Sequence, residues 1–150
     1  MKKPVAFQMT LFCLPPHREN QNPIHIKVNV WSTIADARSY FRSIDETWGR
    51  TAIAYFMEYQ DLARKNLLGE AHFTLRNFSI ATVSHEFVHA AESFANRHAL
   101  AEVTHCPYEM GNNREECVAY ALGTLMDNFY KQLPPDIFKR WLENSQKPLQ

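Results

Sequence analysis

The chain has 150 residues, 45% hydrophobic and 21% charged, which fits one globular domain and excludes disorder as the main state. Lys+Arg and Asp+Glu both number 16, so the formal net charge is zero, and a general nucleic-acid binder, which needs surplus cations against phosphate, is not expected. Gly numbers only 4, and neither G-x-G-x-x-G nor G-x-x-x-x-G-K occurs, so a phosphate-cradling glycine loop is excluded.

Val5, Phe7, Met9 and Leu11 alternate with Ala6, Gln8 and Thr10, the period of a strand. A Pro- and Asn-rich connector runs from Pro15 to Pro23. Ile24, Ile26, Val28 and Val30 then form a second alternating set, with His25, Lys27 and Asn29 opposite. Two such runs across a loop predict antiparallel strands with one wet face. Thr33 caps a short helix with Asp36 three residues on, at capping-box spacing, and Ile34, Ala37 and Phe41 form its apolar stripe. Ala52 to Tyr59 reads as a third strand. Asp61 to Leu68 reads as a short helix or a wide loop ended by Gly69. Glu70 to Arg76 alternates again and reads as a fourth strand.

The period then changes. Ser79 caps a helix with Ile80, Val83, Phe87, Ala91 and Phe94 at spacings of three and four, running to about His98. Asn113 starts another, with Val118, Leu122, Leu125, Met126 and Phe129 inward. Pro134 and Pro135 break it, and a last short helix carries Ile137, Phe138 and Trp141. The expected organisation is one domain over 1–150, sheet-rich in 1–76, helical in 77–144, with a polar tail in 145–150.

Cys13, Cys106 and Cys117 form no C-x-x-C and read as small buried apolar groups in a reducing compartment. Lys2 and Lys3 precede an apolar stretch, but Gln8 and Thr10 interrupt it and no small-residue cleavage site follows. No run approaches the roughly 18 apolar residues of a membrane span. A cytoplasmic protein without a membrane partner is expected.

The chemistry lies in His85-Glu86-Phe87-Val88-His89, an H-E-x-x-H inside the strongest helical pattern. Residues four apart share a helix face, so the two imidazoles can converge on one metal ion, with Zn²⁺ a ready acceptor of imidazole nitrogen. Glu86 projects beside that pair, where it can serve as general base without being a ligand. The flanks Thr82-Val83-Ser84 and Ala90-Ala91 carry no charge and no proline, as such a motif requires. A catalytic zinc needs a third protein ligand. No H-x-x-G-x-x-H continuation exists, and the best source is the helix beginning near Asn113, with Glu115 and Glu116. Glu116 also suits the third position of a capping box. His72, His98, His105, Tyr108 and Tyr120 are further groups able to polarise a carbonyl. His17 and His25 have no partner pattern.

An H-E-x-x-H helix followed by Glu116-Cys117-Val118-Ala119, an E-x-x-A, resembles the gluzincins, the thermolysin-like clan of zinc metallopeptidases. The compact size is similar to the ImmA/IrrE type. The resemblance covers residues 79–130. It implies an α+β, zincin-like fold, with a small, mostly antiparallel sheet ahead of the active-site helix. Carried over by position, it implies His85, His89 and Glu116 as Zn²⁺ ligands and Glu86 as catalytic base. It also implies a peptide or protein substrate held by strand addition at the sheet edge. Glu70 to Arg76, just before the helix, is the natural candidate for that edge. The implied activity is a zinc-dependent endopeptidase. The alternatives are a catalytically inactive zincin-fold protein that binds zinc and a protein partner, and an interaction domain without metal.

Overall fold

The computed structural model describes residues 5–13, 24–60, 66–99 and 114–148. Its elements, in chain order, are β1 (Val5–Phe12), β2 (His25–Trp31), α1 (Ile34–Ser43), β3 (Ala54–Glu58), β4 (Leu67–Thr74), a 3-10 turn (Leu75–Asn77), α2 (Ile80–Ala99), α3 (Arg114–Gln132) and α4 (Pro135–Ser145). The architecture is α+β, a four-stranded sheet in the order β1-β2-β4-β3 with helices on both faces. Among the described residues no helix is long and apolar enough to cross a membrane.

The sheet is mixed. β1 pairs antiparallel with β2, and β3 antiparallel with β4, but the central pair, β2 and β4, is parallel. The crossover that a parallel pair demands passes through α1 and β3. A sheet so built is covered twice. Ile26, Val28, Val30, Ala71 and Phe73 join Val83, Phe87, Phe94, Leu125, Phe129 and Trp141 in the larger core, under α2, α3 and α4. Trp31, Ala37, Phe41 and Trp48 form a smaller core under α1, with Tyr40 and Tyr55 against it.

That second core replaces the expected wet face. Glu70, His72 and Thr74 are polar and alternate with apolar residues, yet all three are buried. The Trp31 indole donates to His72 Nδ1 at 3.1 Å, which leaves Nε2 as the ring's donor nitrogen. That nitrogen lies 3.3 Å from Glu70 Oε2, without the alignment of a full hydrogen bond. The Tyr40 hydroxyl donates to the same oxygen at 3.0 Å. Burial alone would raise the Glu70 carboxyl, but its contacts with His72, Tyr40 and Lys27 outweigh that and hold it below its ordinary range.

Several sequence readings change here for local reasons. β4 begins at Leu67 rather than Glu70, so Leu67 and Leu68 are strand; residues 61–65 of the predicted helix or wide loop lie outside the described residues. Gly69 is not a terminator but sits inside β4. A Cβ there would collide with the Met57 carbonyl oxygen and lie 2.8 Å from Phe56 Cζ, so β3 and its side chains occupy the space a larger residue needs. β4 is buried along its whole length and lies between β2 and β3, which makes β3 the edge strand on that side, not Glu70 to Arg76. A register shift between Val5 and Phe7 sends Val5 to the α1 core and Phe7 to the larger one. Ile34 and Ile80, each the first residue of its helix, are exposed, and the buried stripes start one turn later.

The predicted caps and breaks are present. The Thr33 hydroxyl accepts from Asp36 N–H. Ser79 and Thr82 cap α2 reciprocally: Ser79 Oγ accepts from Thr82 N–H and Thr82 Oγ1 from Ser79 N–H. α3 stops at Gln132, and Pro135 occupies the first turn of α4. Asn113, the expected cap of α3, lies outside the described residues.

Two stability outcomes follow from this packing. Gly69→Ala should cost about 1–3 kcal/mol through overpacking against backbone that cannot yield, read as a lower urea midpoint. Tyr40→Phe should cost about 1 kcal/mol near pH 7, where Glu70 is ionised. Because the folded state depresses the Glu70 pKa, its contribution is present above the ordinary value of 4.5 and is lost as pH falls through the folded value. The gap between wild type and Tyr40→Phe should therefore close in acid, which urea unfolding at the two pH values would detect.

Candidate metal centre and its cleft

The phase of α2 decides where its polar residues point. Val83, Phe87, Ala90, Ala91, Phe94 and Ala95 are buried against the sheet and α3. At 100° per residue, His85 and His89 fall about 160° from Phe87, on the outer face, and Glu86 falls about 100° away, on the flank. His85 has 69% of its side chain exposed and Glu86 only 8%.

The two imidazoles converge. Their Nε2 atoms are 3.2 Å apart, with the rings at 77° to one another. Two nitrogens bound to one tetrahedral zinc at 2.0–2.1 Å would be separated by about 3.3 Å. The pair therefore fits one edge of a zinc tetrahedron, with the same nitrogen of each ring offered. Glu86 Oε1 lies 4.0 Å from His85 Nε2, beside the pair. Burial raises the Glu86 carboxyl above its ordinary range, opposed by His85, by His89 and by a hydrogen bond from the Phe56 backbone.

Phe56 belongs to the edge strand. The Tyr59 N–H donates to the Leu68 carbonyl, which sets the phase of the β3–β4 ladder. Tyr55 and Met57 then bond inward to β4, and the backbone groups of Ala54, Phe56 and Glu58 point outward. Two further links hold α2 to this strand. Ser93 Oγ donates to Glu58 Oε1, and Arg97 Nη2 donates to the Tyr59 and Gln60 carbonyls at 2.7 and 3.0 Å. A cleft of about 510 Å³ lies between strand and helix, lined by Ala54, Phe56, Glu58, His85, Glu86 and His89 among others.

The remaining candidates are placed as follows. Glu115 and Glu116 are exposed in the first turn of α3. α3 packs on α2, and Arg114 ties its start to Glu92 and Asn96. Among the described residues no three His, Cys, Asp or Glu side chains gather as a metal-holding group, so Glu116 does not join His85 and His89 in one. His72 is committed to the α1 core, remote in face from the cleft. Tyr120 is exposed on α3, His25 opens β2, and His98 falls in the last turn of α2. His17, His105, Cys106 and Tyr108 lie outside the described residues. Cys13 and Cys117 are buried, and burial pushes the Cys13 thiol up, which suits packing rather than metal binding.

Sequence reasoning missed the tie between Glu86 and Phe56 and the roles of Glu58, Glu92, Ser93 and Asn96 along the cleft. The spacing held part of the signal. Glu92 and Asn96 follow His85 by seven and eleven residues and so share its face. Comparison with protein-family models, with curated proteins and with solved structures returns no match to this chain.

Loss of metal is the direct check on this geometry. Wild type purified with Zn²⁺ should retain one equivalent by elemental analysis, and the His85→Ala/His89→Ala double variant none. Chelation should lower the melting temperature of wild type alone, since only the native state presents both imidazoles together.

Proposed function

We propose that the protein is a zinc-dependent metallopeptidase with a zincin-like site. The observation that carries the reading is the convergence of His85 and His89 at 3.2 Å beside a buried carboxylate and an edge strand. His85 and His89 would hold the ion; Glu116 on the neighbouring helix is the third ligand that the resemblance implies, and to serve it would have to approach the pair more closely than it does here. Zinc bound there would supply Lewis-acid polarisation and an acidified water.

The chain's own groups would do the rest. An extended peptide would pair with the outward backbone groups of β3 other than the Phe56 N–H, which Glu86 holds, presenting its scissile amide to the outer face of α2. Glu86 is held by the Phe56 N–H between that strand and the histidines. From there its carboxylate would take a proton from the attacking water and return it to the leaving amine. The walls of α2 and β3 leave the cleft open along its length, which suits a segment within a longer chain rather than a small enclosed ligand.

Glu86→Gln keeps the shape and the Phe56 contact but removes the base. It should retain zinc and lower peptide hydrolysis by at least about 100-fold, followed as product formation from a quenched fluorescent peptide. Retained zinc with no hydrolysis in wild type would instead support a zinc-binding protein that holds a partner without cutting it. Glu116→Gln tests the third ligand: zinc affinity should fall sharply while Glu115→Gln, about 100° around the helix, leaves it unchanged. Equal zinc affinity in Glu116→Gln and wild type would remove Glu116 from the site.

A further inference from the structure

The cleft does not end at the histidines. Towards the start of α2 it passes Thr51, Ala52, Ile53, Ala81 and Thr82. Next to it lies a cavity of about 380 Å³ lined by Ile53, Arg76, Asn77, Ser79, Thr82, Asn144 and Lys147, among others. Ile53 and Thr82 line both stretches, so the two adjoin.

The charge at the two ends differs. Among the described residues no carboxylate lines the far cavity. Arg76 is exposed, and among the described residues it meets no acidic partner. Lys147 Nζ contacts the amide oxygen of Asn144, at 3.3 Å. Both cations at this cavity therefore lack a carboxylate partner among the described residues. At the opposite end the carboxylates are matched: Glu58 lies 3.6 Å from Arg97, and Glu92 is paired with Arg114. The helix end at the cavity wall has partners of its own: Ser79 and Thr82 cap each other and the Ile80 N–H donates to Ser145 Oγ.

Strand direction turns this asymmetry into a polarity for the peptide. β3 runs from Ala54, near the cationic cavity, to Glu58, near the matched end. A peptide added antiparallel, the more stable pairing, would run the opposite way. Its residues C-terminal to the histidines would enter the cationic cavity. From Glu86 back to Ser79, at the cavity wall, is seven helical residues or about 10 Å, the length of roughly three extended residues.

We propose that the Arg76–Lys147 cavity is a carboxylate-binding subsite that selects peptides carrying an acidic side chain, or their own C-terminal carboxylate, about three residues beyond the scissile bond. This rests on the peptidase reading for the site but concerns binding, which can be measured without cleavage.

The test uses the Glu86→Gln protein and fluorescein-labelled peptides read by polarisation. One pair is a ten-residue Ala/Ser/Leu peptide, amidated, with Asp or Asn at its seventh to ninth positions. A second pair is a neutral seven-residue peptide ending as the free acid or the amide. The Asp peptide, the free acid, or both should bind about three- to tenfold tighter than the neutral counterpart, the size two partly exposed ion pairs deliver. Whichever pair discriminates identifies the source of the carboxylate. The preference should weaken with added salt and vanish in Arg76→Gln/Lys147→Gln. Arg76→Glu/Lys147→Glu should prefer a matching Lys peptide.

Equal affinity within both pairs, a preference untouched by the Arg76 and Lys147 substitutions, or no binding of any peptide would overturn the subsite. Mass spectrometry of the same peptides after incubation with the zinc-loaded wild type separates the two ideas. A carboxylate preference without cleavage would leave the subsite and remove the peptidase. Cleavage indifferent to Asp and to the free acid would do the reverse.

Discussion

The site depends on one contact surface, the apolar stripe of α2 on the sheet. Val83, Phe87, Ala90, Ala91 and Phe94 are buried together with Ala71 and Phe73 of β4. That burial fixes the rotation of the helix, and every polar position on α2 then has its direction. Glu86, Ser93 and Arg97, at i, i+7 and i+11, fall on one flank within about 40° of each other. Each bonds to the end or edge of β3: Glu86 to the Phe56 N–H, Ser93 to Glu58, Arg97 to the Tyr59 and Gln60 carbonyls. His85, His89, Glu92 and Asn96 fall on the outer face. A rotation of α2 by one residue would break all three links to β3 and turn a histidine into the sheet.

The edge strand is held with equal economy from its other side. Among the described residues β3 has only β4 as a strand neighbour, and five residues of ladder make a short pairing. Gly69 lets the two strands and the Phe56 ring approach without a Cβ between them. The α1 core adds Tyr55 and the aromatic cluster around Phe41, whose ring lies 4.8 Å from His72 and 5.5 Å from Tyr55 by centroid. The cleft wall is thus supported by a polar cluster on the opposite face of the sheet. Tyr40 donates to Glu70 and Trp31 to His72 Nδ1; a buried carboxylate without such a donor would cost more than the packing returns.

The helical half was legible in the sequence because its signals are local. Spacing of three and four placed α2, Ser79 fit its start, and Pro134-Pro135 separated the last two helices. The convergence of His85 and His89 needed nothing beyond helix geometry. The sheet was legible as strands and, through the short connection, as the antiparallel β1–β2 pair. Alternation tells which residues share a face but not which strand lies beside which, so the parallel pairing of β2 with β4, and with it the identity of the edge, could not be read. Glu70 and His72 misled for a related reason: their burial depends on Tyr40 and Trp31, thirty and forty-one residues away. Gly69 carried two meanings in sequence, loop end or close approach, and only the neighbour across the ladder decides between them. The placement of Glu116 is tertiary in the same sense. Its phase on α3 follows from its own helix, but its distance from His85 depends on how α3 is seated against α2.

This division between local and tertiary signals matches a division of labour in the molecule. The imidazoles of His85 and His89 stand on the face of α2 opposite both cores, and the nitrogens they offer face each other. Nothing in the packing of Phe87 or Phe94 requires them. Glu86 is different. It is buried, pinned to the edge strand, and shares its flank with the side chains that fix β3. The relation between Glu86 and the edge strand is therefore built by the fold itself, at the cost of a desolvated carboxylate, while the histidine pair is mounted on the helix from outside. A metal held by that pair, as proposed, would come and go without moving β3 or Glu86, because the contacts that position them run through β3 and the α1 core.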